Sequence, residues 1–179
     1  TNTVKLISET YNQHLVVDLD NLDPTEKTTG TEPLLRGIFA GLKKRGMKVE
    51  GFDAYVTSNV IGGAGVSSSA SFEMLVCVIV DYLFNGGKRD VVTYAKAGQY
   101  AENRYWLKGS GLLDQLACAV GGIITIDFAD IENPSIREVN CDFDELGHDL
   151  VIINTGKGHA DLSAEYSAVP NEMKKVAQY

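Results

Sequence analysis

The residues from Asn59 to Val76, NVIGGAGVSSSASFEMLV, constrain this chain more than any other stretch. They read as the end of a strand, a glycine-rich loop, three serines and then a long apolar helix. Gly62, Gly63 and Gly65 let backbone approach a ligand where a Cβ would intrude. Ser67, Ser68 and Ser69 fall where a helix begins, with free N–H groups and the positive end of the helix dipole facing outward. An anion, above all a polyphosphate, suits that combination. The plainer alternative is a tight turn closed by a serine N-cap.

Three familiar loops do not fit. A Walker A loop needs GxxxxGK followed by Ser or Thr, and no lysine follows Gly65. The dinucleotide fingerprint GxGxxG finds Gly63 and Gly65 but has Ser68 at its third glycine. The esterase elbow GxSxG fits Gly65 and Ser67, then meets Ser69 where glycine is required. What remains, GxGxSSSAxxE, resembles the second motif of the GHMP small-molecule kinases, and its SSSASFE form is similar to the galactokinase branch. The resemblance implies that the loop, with Gly62, Gly63, Gly65, Ser67, Ser68 and Ser69, wraps the phosphates of ATP. It also implies that Ser69 helps hold Mg2+.

Composition narrows the partners. A net charge of −8 argues against a nucleic-acid footprint and fits an enzyme whose anionic substrate is met by a local site and a metal. The longest apolar run, Met74 to Val80, is far too short for a membrane span. Cys77, Cys118 and Cys141 are widely spaced in apolar settings, so reduced thiols and a cytoplasmic protein are expected. His148 and His159 lack metal-ligand spacing. The chain opens directly into a strand-like VKLISE without Met and closes in a helix expected from Pro170 to Tyr179; a piece of a larger protein is expected.

The order of elements predicts a mixed α/β domain with its helices grouped together. Strands are expected at Val4–Glu9, His14–Leu19 and Phe52–Thr57, and a helix with one apolar face at Thr31–Gly46. The helix Ser69–Phe84 is apolar almost all round, which predicts burial on several sides. A more amphipathic helix follows at Asp90–Leu107 and a short one at Leu112–Val120. Strand-like runs occupy Ile123–Phe128, Ile136–Asn140 and Asp149–Asn154. The resemblance implies an α+β fold like the second domain of ribosomal protein S5, with a mixed sheet and helices packed together. It places an N-terminal-type ATP-binding domain at 1–140 and the start of a C-terminal domain at 141–179.

A second informative stretch is AENRYWLKGSGLLDQLACAVGG, Ala101 to Gly122. Asp114 stands in an apolar helix, where a buried carboxylate is costly without compensation. It reads either as a first-turn acid favoured by the helix dipole or as a general base at the mouth of a pocket. GLLDQ resembles the GIMDQ run of galactokinases, which implies that Asp114 is the catalytic base on the attacking sugar hydroxyl and that Gly111 lines the sugar. Glu102 alone reads as a solvated helix residue; the resemblance of QYAEN implies that it faces the serine loop and joins Ser69 in the Mg2+ site. Glu73 is expected to be a first-turn structural acid rather than a ligand. Asn154 to Tyr166, NTGKGHADLSAEY, resembles the galactokinase segment that ends in SEY, which implies that Tyr166 contributes to the sugar site, although Ser167-Ala168-Val169 follows where galactokinases carry an arginine pair.

The resemblance covers nearly the whole chain but not the family's first and last motifs. Together these features imply ATP-dependent phosphorylation of a sugar hydroxyl, with galactose as the expected substrate and galactose 1-phosphate as product. Another GHMP small-molecule kinase and a non-catalytic, galactokinase-like sugar sensor are the alternatives. The isolated chain, without those two motifs, is expected to be inactive.

Overall fold

The computed structural model describes residues 2–88, 90–153 and 163–178, with the side chains of 163–167 left aside. Strand β1 (Thr3–Ser8) pairs antiparallel with β2 (Gln13–Asp18) and parallel with β3 (Asp53–Val56), in the order β2-β1-β3. The register sets Val4 opposite Val17, Leu6 opposite Leu15 and Ala54, and Ser8 opposite Val56. These positions share one face of the pleat. Val4, Leu6, Val17 and Val56 are buried there, while Lys5, His14, Val16 and Tyr55 point outward.

Helix α1 (Thr31–Lys44) lies under the sheet because its apolar stripe recurs at helical spacing: Leu34, Leu35, Ile38, Phe39 and Leu42 are all at most 2% exposed. Pro33 sits in the first turn, where its missing N–H costs nothing. The helix ends in a Schellman motif. Gly46, at φ 79°, donates to Lys43 O, and Met47 donates to Leu42 O.

The remaining helices are α2 (Ser68–Phe84), α3 (Val91–Arg104), α4 (Leu113–Val120) and α5 (Ser163–Ala177). Asp90 caps α3, its carboxylate accepting from Thr93 N at 3.0 Å and Thr93 Oγ1 at 2.8 Å. Small residues let α1 and α3 touch backbone to backbone. A Cβ on Gly37 would lie 2.7 Å from Ala101 Cα, and one on Gly41 would lie 3.0 Å from Ala97 O. Between α2 and α3, the buried Tyr94 hydroxyl donates to Asp81. The hairpin of β4 (Ile124–Asp127) and β5 (Ser135–Glu138) packs through Ile126 and Ile136 onto Ala95, Leu112 and Leu116.

The fold is α+β, with a mixed sheet and clustered helices, as the sequence predicts. Two boundaries are corrected. Residues 149–153 form no strand, and Leu150, Val151, Ile152 and Ile153 are each at least 65% exposed. An apolar run becomes a strand only against a partner ladder, and no described strand pairs with this one. Helix α5 begins at Ser163 rather than at Pro170, which lies inside it. The glycine-free run around Ala164 and Glu165 has enough helix propensity to start earlier.

Candidate functional site

The serine loop is open and backbone-rich. Gly62, Gly63 and Gly65 are exposed, the last two at φ 74° and 75°. A Cβ on Gly62 would come within 2.8 Å of the Tyr11 hydroxyl. Ser67 is the residue before α2, and it adopts a left-handed conformation (φ 55°, ψ 45°) that L-residues with a Cβ seldom take. Its side chain makes no cap hydrogen bond, so the serine N-cap is not what these residues form. The start of α2 keeps its N–H groups directed at the loop without a side-chain cap, which suits an anion.

Ser69 looks across to α3. Its Oγ donates to Glu102 Oε1 at 3.1 Å, so the two residues expected to share a metal are brought together. Glu102 is buried rather than solvated, at 2% exposure. Its position follows from the α1–α3 seam, since the neighbouring Ala101 is the residue against which Gly37 packs.

Behind this pair lies a buried polar knot. Gln115 on α4 donates through Nε2 to Glu73 Oε2 at 3.1 Å and to Glu102 Oε2 at 3.4 Å. Glu73 is therefore no first-turn acid. It lies beyond the first turn of α2 and is fully buried. Burial, with the Glu102 carboxylate second, pushes its carboxyl up to about 8, while the Gln115 amide and Lys108 pull the other way. Gly98 leaves the space that carboxyl occupies: a Cβ there would sit 2.4 Å from Glu73 Oε2.

Asp114 does not join the knot. It is exposed in the first turn of α4, next in sequence to the buried Gln115, and Leu112 rather than Asp114 is the N-cap. The expectation that it bears a burial cost is corrected: α4 turns Leu112, Gln115 and Leu116 inward and Leu113, Asp114 and Ala117 outward. Gly111 is also exposed, with nothing within 4 Å of a Cβ built on it. Tyr166 falls in α5, and its side chain lies outside the described residues.

Beside the serine loop opens a cleft of about 460 Å3. Tyr11, Val56, Ser69, Phe72, Leu75 and Trp106 are among its lining residues. Trp106 is fixed there by its indole N–H, which donates to Gly30 O at 2.8 Å. Sequence reasoning missed this wall and the parts played by Gln115 and Lys108: Gln115 enters only as the last letter of GLLDQ, and Lys108 completes no motif. Glu73 was more accessible: a carboxylate inside a helix that is apolar all round must be buried.

The donors present are those of a hard cation. Ser69 and Glu102 supply oxygens, and among the described residues no group of three or more His, Cys, Asp or Glu could hold a metal by itself. One carboxylate and one hydroxyl fit Mg2+, which completes its shell with water and phosphate oxygens. No helix of the described residues is long and apolar enough to cross a membrane.

Comparison with known proteins agrees with this architecture. Residues 34–122 match the GHMP kinases N terminal domain. The chain is 30% identical over 176 residues to the galactokinase of Clostridium tetani, covering 98% of this chain and 44% of that protein. It is 32% identical over 167 residues to a galactokinase of Lactococcus lactis subsp. lactis, covering 92% and 41%. The crystal structure of Lactococcus lactis galactokinase complexed with galactose superimposes with a TM-score of 0.66 at 30% identity, over 79% of this chain and 37% of that one. The chain thus spans less than half the length of these relatives. With residues 34–122 matched and the fold shared, the chain carries a GHMP kinase N-terminal domain.

Proposed function

We propose that this chain is the nucleotide-binding part of an ATP-dependent sugar kinase that phosphorylates a sugar hydroxyl, with galactose at O1 as the substrate that the relatives' names favour. The observation that carries the reading is the 3.1 Å contact between Ser69 and Glu102, at the edge of an uncapped, glycine-rich helix start. Residues 1–140 are proposed as the ATP-binding domain and 141–179 as the start of a second; the last buried described residue, Pro134, supports that division. The free cysteines are in keeping with a cytoplasmic setting.

Phosphoryl transfer is mostly positioning and charge neutralisation. The N–H groups from Gly62 to Ser69 would bind the phosphates, and the apolar cleft with Trp106 and Phe72 on its wall would take the base. Ser69 and Glu102 would hold Mg2+, which when bound offsets the negative charge of the phosphates. Asp114, exposed beside Gly111, is open to a substrate and would take the proton of the attacking hydroxyl.

The test is a steady-state assay of the full-length protein with ATP and a panel of free sugars. Turnover with galactose supports the reading. Binding of both ligands without turnover would instead identify a sensor, and turnover with another alcohol would reassign the substrate. The isolated 179-residue chain is expected to release no ADP with galactose.

A further inference from the structure

Glu102 already faces a cation. Lys108 Nζ lies 2.9 Å from Glu102 Oε1, the same oxygen that accepts from Ser69 Oγ. Glu102 is 2% exposed and Lys108 43%, so the ammonium covers the carboxylate from the solvent side. The backbone sets this up. Lys108 N–H donates to Glu102 O at 3.0 Å, and Leu107 just before it takes φ 54°, a left-handed conformation uncommon for leucine. The strained turn after α3 thereby folds the lysine back over its own helix.

We propose that Lys108 is a tethered counter-ion that competes with the divalent metal for Glu102 Oε1, so that an ion enters between Ser69 and Glu102 only as the lysine swings away. The proposal rests on the reading that Ser69 and Glu102 hold the ion. Two cations cannot occupy the same side of one carboxylate oxygen without strong repulsion. The lysine's flexible four-carbon stem allows the ammonium to leave while the backbone stays in place. The chain so keeps a buried carboxylate paired when no metal is bound, and it weakens metal binding in return.

The probe is Mn2+ alone, titrated into the 179-residue chain with free Mn2+ read by electron paramagnetic resonance. Lys108→Met is expected to bind Mn2+ roughly tenfold or more tightly than the unmodified chain, the factor that losing a charge-assisted competitor implies. Lys108→Arg should bind like the unmodified chain. Lys108→Gln, which keeps a donor to Glu102 and so protects folding, should share the gain. The gain should vanish when Glu102→Gln is added. A second readout is independent of affinity: Lys108→Met should melt lower in metal-free buffer and recover as Mn2+ is added. Equal Mn2+ affinity with and without Lys108 overturns the counter-ion role. A gain that survives Glu102→Gln overturns the Ser69–Glu102 assignment itself.

Discussion

The two faces of α4 carry polar residues under opposite conditions. On the inner face Gln115 is 1% exposed and bridges two carboxylates on two other helices. On the outer face Asp114, its immediate neighbour, is exposed. The inner group is fixed by its partners, and its cost of burial is offset only while they all remain. The outer group bears no such cost and is available to whatever approaches. One short helix therefore joins a buried determinant of the site to an acid open to solvent.

The comparison breaks most severely at Gln115. Gln115→Leu keeps volume but removes the donor shared by Glu73 and Glu102, and should destabilise the chain by about 3 kcal/mol. A chemical denaturation curve checks this; a loss under about 1 kcal/mol would mean that the knot is not what holds α4.

Asp114→Asn should do the reverse. Turnover of the full-length protein is expected to fall by roughly two orders of magnitude or more, as for a lost general base. Its melting temperature should stay put, because an exposed acid leaves neither a cavity nor an unpaired buried charge. Near-normal turnover would reduce Asp114 to a first-turn acid.

The pH dependence sharpens the inner face. Glu73 is held up at about 8 in the folded chain and returns to the ordinary carboxylate range on unfolding. The folded chain therefore binds the extra proton in the window between, and stability falls as pH rises through it. The stabilisation is full below the unfolded value and lost above the folded one. A progressive loss of stability between pH 5 and 8 is expected, against a flatter profile for Glu73→Gln. Identical profiles would show that Glu73 does not carry the proton.

The smallest effect belongs to the link between the two functions. Ser69→Ala removes one hydrogen bond to Glu102 and should cost about 1 kcal/mol of stability. In the full-length protein it should also raise the Mg2+ concentration needed for half-maximal turnover. An unchanged requirement would remove Ser69 from the metal's surroundings.

Much of this arrangement is legible in the residues. The three strands of the sheet and helices α1 to α4 fall within three residues of where apolar periodicity and glycine stops put them, because local pattern and tertiary burial agree there. Ser69 and Glu102, 33 residues apart, were paired by resemblance to a family rather than by spacing. The knot was not legible: Gln115 and Lys108 are ordinary polar letters whose meaning depends on which helix stands opposite. Asp114 misled in another way. Its apolar neighbours suggested burial, but a helix of eight residues buries only one side, and Leu113 beside it is 59% exposed. The apolar run at 149–153 shows the same limit, since hydrophobicity without a partner edge does not make a strand.

Trp106 has a consequence outside stability and chemistry. It is the chain's only tryptophan, it lines the cleft beside the serine loop, and its indole is anchored to Gly30 O. Excited at the red edge of the absorption band, these 179 residues therefore emit from a single site on the wall of that cleft. Its fluorescence intensity and wavelength report directly on what enters there, with no label to attach and no second emitter to subtract. The cleft carries its own lamp.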